Sequence, residues 1–418
     1  MKPKPIERRA YLFLQGPPGP LFARLGAVLA SHGFPVYRIN FNGGDKADWP
    51  HGSIDYRGRA QNWPHFFDRF VAERQITDLI LFGDCRALHE AAHGMAALRK
   101  LRIHVFEEGY VRPDWVTMEL DGVNGHSTLS RDPAWYLEHA SKLPPMPDLP
   151  HIPASRGRRF REAFLYYARV AANVWRFPFY RSHRPDLAIL EAIGWARRFL
   201  SAKADEVQSA ETLARLAGID HFLLPLQLSS DHQIRVHSPF ANMKVAAEHV
   251  IASFAREAPG NVHLVVKQHP LDNGLVNWRR TTARLARRYG VQDRVHFLAG
   301  GDIVQAVRQA RGVVTVNSTT GTLALSAGIP VKVLGAAIYD IEGITDQAIL
   351  DDFWANPTPP DERIYDAFCR TLIDKCLIRG GFASEEGLQL LIEAAFRRLT
   401  SDEQAHLVPQ TELHEKIL

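Results

Sequence analysis

Val265-Val266-Lys267-Gln268-His269-Pro270 and, further along, Thr315-Val316-Asn317-Ser318-Thr319-Thr320-Gly321 decide how the chain folds. In each, a short β-branched run (262–266, then 313–316) predicts a buried parallel strand that stops at residues able to hold an anion. His269 offers a ring nitrogen, Pro270 fixes the turn after it, and Ser318, Thr319 and Thr320 offer hydroxyls. Gly321 then lets the backbone enter a helix expected over 322–327, whose first amides carry partial positive charge. With Lys267 and Asn317 beside them, the two motifs describe a phosphate pocket. Each is weak alone, because a histidine at a strand end is commonly structural and Ser or Thr commonly caps a helix. As two strand ends of one sheet they point to a ligand.

The same punctuation recurs outward from this pair. A strand over 11–14 stops at Gln15-Gly16-Pro17-Pro18-Gly19-Pro20 and is followed by helical spacing over 21–31. Strands over 36–41, 78–82 and 103–106 stop at Asn42-Gly43-Gly44-Asp45, at Gly83-Asp84-Cys85-Arg86 and at Glu107-Glu108-Gly109-Tyr110. In the second half a strand over 221–226 stops at Gln227-Leu228-Ser229-Ser230-Asp231, helices are expected over 242–254 and 278–288, and a short strand over 331–334 closes at Gly335. Strands alternating with helices imply an α/β fold of doubly wound parallel sheets, with ligands at the carboxyl ends of the strands. Two such sheets facing each other would place all these loops around one cleft. We therefore expect a Rossmann-like domain over 1–145, a connector over 146–205 and a second Rossmann-like domain over 206–418. The helical tail from Asp361 either finishes the second domain or crosses back to the first.

Composition bounds the possibilities. The 418 residues exceed one ordinary domain, and 46% hydrophobic with 23% charged residues is the balance of a soluble globular protein. A formal net charge of +4 favours anionic ligands. Cys85, Cys369 and Cys376 form no CxxC pair, so neither a disulfide scaffold nor a zinc site is expected. The start of the chain is charged and does not read as a signal peptide, and no apolar run is long enough to span a bilayer. The glycine stretches match neither GxGxxG nor GxxxxGK[ST], and their expected part is to let a ligand approach the backbone. Aromatics are not interleaved with lysines, so no nucleic-acid partner is expected. A cytoplasmic protein able to touch a membrane fits these constraints.

The connector departs from the strand and helix alternation. Pro144, Pro145, Pro147, Pro150 and Pro153 stiffen it, and Phe160, Phe164, Tyr167, Ala171 and Val174 then share a helical face beside Arg156, Arg158, Arg159, Arg161 and Arg169. Such a helix either lies on an anionic bilayer or packs on its domain with a solvated basic edge.

Two acidic features could carry chemistry. Glu107 and Glu108 point in different directions, so only one can face a ligand, and a carboxyl in an apolar cleft can act as general acid then base. Asp231 lies among Gln227, Ser229, Ser230, His232 and Gln233, donors that would keep it ionised as a nucleophile or as a stabiliser of a cationic transition state.

The ordered set of these motifs, with Phe106-Glu107-Glu108-Gly109-Tyr110-Val111-Arg112-Pro113, resembles the capsular-polysaccharide β-Kdo transferase family of the KpsS type, from about residue 11 to about residue 355. The resemblance implies a GT-B glycosyltransferase taking Kdo from CMP-β-Kdo. The acceptor would be a (lyso)phosphatidylglycerol at the inner membrane, where the poly-Kdo linker of the capsule begins, in company with a second Kdo transferase and the capsule export machinery. His269 and Ser318 to Thr320 would hold the CMP phosphate without a metal, Asp231 would be the nucleophile, Glu108 the acid and base, and Gln227 would lie near the sugar carboxylate. Gln15, Gly16, Asn42, Gly43 and Asp84 fall in motifs of the first domain that would line the substrate edge. A β-configured donor giving a β-linked product means retention, which two displacements achieve. A sialyltransferase, a glycerophosphate transferase or a non-catalytic export factor are the alternatives.

Overall fold

The structure is a computed structural model that describes residues 9–181, 188–228, 234 and 236–401. Its first sheet takes β1 (Tyr11–Phe13), β2 (Val36–Asn40), β3 (Ile54–Asp55), β4 (Asp78–Phe82), β5 (Arg102–Glu108) and β6 (Trp115–Leu120). The second takes β7 (His221–Pro225), β8 (His263–Lys267), β9 (Val295–Leu298), β10 (Gly312–Thr315) and β11 (Val331–Val333). A final strand, β12 (Leu377–Arg379), returns to the first sheet. The orders are β12-β6-β5-β4-β1-β2-β3 and β11-β10-β7-β8-β9. Within each half, the five parallel strands thus repeat one arrangement: the first in the middle, the second and third on one side, the fourth and fifth on the other. This is the expected pair of doubly wound, Rossmann-like domains.

Why these segments are strands follows from burial on both faces. Leu79 and Leu81 of β4 join one apolar core with Leu12 and Val105, while Ile80 joins the other with Phe13 and Phe106. In the second sheet Val265 packs with Leu223 and Val313 on one side, and Leu264 and Val266 pack with Phe222 and Val314 on the other. Alternate side chains point to opposite faces, so a strand buried on both reads as a continuous apolar run.

The tail corrects the expected 206–418 boundary. Helix Glu362–Lys375 packs in the core of the second domain, but β12 pairs antiparallel with β6 through Ile378 and Val116. Helix Glu385–Thr400 then buries Leu388, Leu391 and Leu399 against Leu25 and Leu29 of helix Leu21–Ser31. The first domain is therefore built from both ends of the chain.

The connector helix Arg156–Ala172 lies on the first domain against helix Gly43–Asp48. A Cβ at Gly43 would sit 2.4 Å from the Arg169 carbonyl oxygen, and one at Gly44 would sit 2.6 Å from the Tyr166 ring. Those two glycines let a helix approach, rather than a ligand as expected. The face buried is that of Tyr166, while Phe160 and Phe164 are 72% and 63% exposed. The stripe picked out by its helical spacing points outward.

Candidate active site

β7 separates β8 from β10, so the His269 and Ser318 motifs emerge two strand spacings, about 10 Å, apart on one wall. The His269 ring is the more telling group. Its Nδ1 accepts the Leu271 amide at 3.0 Å, so the proton of the neutral ring sits on Nε2, as a donor. Burial lowers its pKa to about 4, with Arg198 and Arg112 adding to the effect against Asp272. Near neutral pH the ring is an uncharged hydrogen-bond donor. At the other strand end Ser318 Oγ donates to Thr320 Oγ1 at 3.2 Å and accepts the Thr320 amide at 3.1 Å, with Thr319 exposed beside them. Gly321 is required there, because a Cβ would lie 2.3 Å from the Tyr339 hydroxyl, which itself donates to the Ser318 carbonyl at 2.5 Å. The helix begins at Thr320, two residues earlier than expected.

Other expected ligands of this wall are engaged within the domain. The Lys267 ammonium is buried and donates to the carbonyls of Gly300 and Gly301, each at 2.8 Å, so it pins the loop after β9. Gln227 and Asn317 form a buried reciprocal pair: Gln227 Nε2 donates to Asn317 Oδ1 at 2.9 Å, and the Asn317 amide donates to Gln227 Oε1 at 3.2 Å. Asn317 Nδ2 also reaches the His237 carbonyl at 3.2 Å, tying the loop after β7 to the end of β10. Pro270 is exposed and follows His269 as a turn. Asp231, with Ser229, Ser230, His232 and Gln233, lies outside the described residues.

The facing wall comes from the first domain. Glu107 and Glu108 are the last two residues of β5, opposite Thr117 and Val116, and not part of the loop after it. Glu107 Oε1 accepts the Glu108 amide at 2.9 Å, and its side chain approaches Gly83. Glu108 is half-buried between two arginines, Arg159 Nη2 at 2.7 Å and Arg112 Nη2 at 3.8 Å. Burial alone would raise its pKa, but the two guanidinium charges outweigh that and hold the carboxyl below its usual range. An ionised Glu108 suits a base and not the acid of the expected acid-and-base pair. The charge of Arg112, which pairs with Glu108, also contributes to the lowered pKa of His269.

Gln15, Gly16, Asn42 and Gly43 do not face that space. Gln15 Nε2 and Asn42 Nδ2 donate to the Tyr166 hydroxyl at 2.6 and 3.0 Å, and that hydroxyl donates to Asp45 at 2.8 Å. Gly16 packs on the Phe22 ring. These residues form a buried polar joint that fastens the connector helix. Asp84 instead sits at the domain junction, held well ionised, at about 2, by donors from His126, Cys85 and Val123 despite its burial. Cys85 and His126 meet His237 of the second domain there, at 3.4 Å from Sγ to Nε2 and with ring centroids 4.6 Å apart. Arg112, Arg159, Tyr166, His126 and His237 were not singled out from sequence. Arg112 and Arg159 stood in stretches quoted for other reasons, and nothing local marked the rest.

The profile of the capsule polysaccharide biosynthesis protein family matches residues 77–383, which takes in both walls of the cleft. The chain belongs to that family. Within it, the chain is 35% identical over 377 residues to the capsule polysaccharide export protein KpsS of Escherichia coli, covering 88% of this chain and 96% of that one. It is 32% identical over 383 residues to the capsule polysaccharide modification protein LipB of Neisseria meningitidis serogroup A, covering 90% and 91%. Among solved structures it is similar to Thermosulfurimonas dismutans KpsC, a β-Kdo 2,7 transferase, at 13% identity and a TM-score of 0.42 over 92% and 99% of the two chains. The family resemblance carried by the motifs is thereby borne out.

Proposed function

We propose that the chain is a retaining glycosyltransferase that takes Kdo from CMP-β-Kdo and places it on a lysophosphatidylglycerol acceptor, the first step of a capsule's poly-Kdo linker. The observation that carries this reading is the uncharged His269 donor and the Ser318 and Thr320 hydroxyls at strand ends on the same edge of one sheet, two strand spacings apart. Such a wall grips a phosphate by hydrogen bonds, without a metal. Membership of the family and the names of its relatives supply the capsule context.

Chemically, the Asp231 carboxylate attacks the anomeric carbon, and CMP departs with the bonding electron pair on its phosphate. That leaving group needs no proton. The acceptor hydroxyl then attacks the same carbon, its proton passing to the ionised Glu108 as the bond to Asp231 breaks, so two inversions give retention. Only one proton transfer is required, which is why a carboxyl held ionised by arginines is compatible with the step.

A lipid acceptor is supported by the outward face of the connector helix. Phe160 and Phe164 of the helix, and Val174 and Trp175 in the turn just after it, are all more than half exposed, and the Phe160 and Phe164 rings stack at 6.4 Å. Arg159 of the same helix reaches Glu108, so this surface adjoins the acceptor side of the cleft. No described helix is long and apolar enough to cross a membrane, and binding at the surface is the mode these residues suit.

The decisive experiment offers CMP-Kdo, CMP-sialic acid and CDP-glycerol as donors with a lysophosphatidylglycerol acceptor, using the full chain and its Asp231→Asn and Glu108→Gln variants. Transfer from CMP-Kdo alone, lost in both folded variants, is expected. Turnover of another donor would redirect the reading to a different cytidine-nucleotide transferase. Unaltered transfer by the variants would remove the assigned residues.

A further inference from the structure

We propose that Asp84, Cys85, His126 and His237 form a binding site for one zinc-class divalent ion that joins the two domains. One ligand atom from each lies within 4.8 Å of all the others. The separations are those of donors sharing one ion: Cys85 Sγ stands 3.2 Å from Asp84 Oδ1 and 3.4 Å from His237 Nε2, and His126 Nδ1 stands 3.1 Å from Asp84 Oδ2. Bonds of about 2.0–2.3 Å at tetrahedral angles place zinc ligands about 3.3–3.6 Å apart, so these three pairs lie near that spacing and the wider pairs, within 4.8 Å, draw in as the ion binds. One carboxylate, one thiolate and two imidazoles are the donor types that a borderline-soft ion takes, in a set that calcium or magnesium would not.

The surroundings hold these donors in place. Asp84 and Cys85 follow Gly83, whose φ of +68° turns the chain sharply after β4. Asp84 Oδ2 also accepts the Val123 amide at 3.2 Å, which helps fix the carboxylate. Gly125 leaves room for the partner domain, because a Cβ there would lie 2.3 Å from His237 Nδ1. The His237 carbonyl accepts from Asn317 Nδ2 and from the Ala336 amide at 2.8 Å, so its loop is anchored on the second sheet. Outer contacts of this kind set the direction of a ligand before the ion arrives. His126 is half exposed, which provides an entry path.

Binding balances in charge. The ion displaces the Cys85 thiol proton to solvent, and the thiolate with the Asp84 carboxylate offsets its two positive charges, so nothing unpaired is left at a buried junction. With four protein ligands the ion has no open position and does no chemistry on a substrate. Its part is to clamp the turn after β4 to His237, which precedes the helix Met243–Glu257 of the second domain. Hydrogen bonds alone could hold the four side chains together, and the experiment separates the two cases.

Purified full-length chain, stripped with a chelator, is titrated with zinc against a competing chromophoric chelator and, separately, with cobalt. We expect one equivalent of zinc to bind, a thiolate-to-cobalt charge-transfer band, and a rise in Tm on adding the ion. Cys85→Ser should abolish the band, and His237→Ala should weaken zinc binding roughly tenfold or more, with circular dichroism confirming that both variants fold. A wild-type chain that shows no thiolate band or no stoichiometric binding overturns the proposal. So do variants that bind zinc like the wild type. None of these readouts depends on sugar transfer, so the site can fail while the proposed activity stands, and the reverse.

Discussion

Replacing Arg159 by alanine tests whether the connector helix sets the protonation of the proposed base. Arg159 Nη2 lies 2.7 Å from Glu108 Oε1, with side chains 45% and 32% exposed. Two unit charges about 4 Å apart are worth about 4 kcal/mol at an effective dielectric constant near 20. Pairs this open to water retain ~1 kcal/mol or less, and 1.36 kcal/mol corresponds to one pH unit. Losing Arg159 should therefore raise the Glu108 pKa by about 0.5–1 unit, while Arg112, at 3.8 Å, still holds part of the effect. A base acts only when ionised, so a raised pKa moves the acidic limb of the kcat/KM profile to higher pH by the same amount. Arg159→Lys should fall between the two. The assay is transfer from CMP-Kdo over a pH series at constant ionic strength. An acidic limb that stays in place in a folded, active variant would refute the coupling between helix and carboxyl.

His269→Ala should weaken CMP binding about 10-fold to 150-fold, since a hydrogen bond to a charged partner is worth roughly 1.5–3 kcal/mol; calorimetry giving an unchanged Kd would count against the phosphate wall. Because the His269 ring is held neutral down to about pH 4, CMP affinity should show no inflection near pH 6.5 from this residue. Phe160→Ser with Phe164→Ser should lower sedimentation with anionic vesicles at least tenfold, given about 1.5–3 kcal/mol for each aromatic side chain buried, and equal sedimentation would dismiss the membrane face. Asp78, fully buried against Arg9, Arg102 and His104, has a strongly depressed pKa. Its contribution to stability is full above the unfolded carboxyl value of about 3.9 and fades as the pH falls. Asp78→Asn should cost about 3–5 kcal/mol at neutral pH by leaving the partly buried Arg9 and Arg102 uncompensated, and an unshifted urea midpoint would contradict that.

The parallel strands were legible because burial on both faces writes them as plain apolar runs, as in Leu264 to Val266. Strands whose status depends on a distant partner were not. β6 carries Thr117 and Glu119 and is a strand because β5 and β12 flank it, and β12 comes from the far end of the chain. Helical spacing identified an apolar stripe through Phe160 and Phe164 but could not tell which way it faced. That depended on Gly43 and Gly44, which admit Tyr166 on the opposite side. The glycines were visible as exceptional positions, with a ligand assumed where a helix lies. Glu108 was marked from the sequence as an acidic candidate, but its ionisation depends on Arg159 from a separate segment. The junction cluster draws on positions 84, 85, 126 and 237, too scattered for any spacing rule.

The return of β12 and helix Glu385–Thr400 to the first sheet bears on biogenesis. A nascent chain that has only just exposed the segment up to Leu120 lacks the edge strand and the covering helix its amino-terminal half requires. That half can complete its sheet only once residues 377–400 have been made, after the second domain that stands between its two parts in the sequence. Loss of residues 377–400 would consequently cripple the module translated first, because they latch a sheet begun at Tyr11.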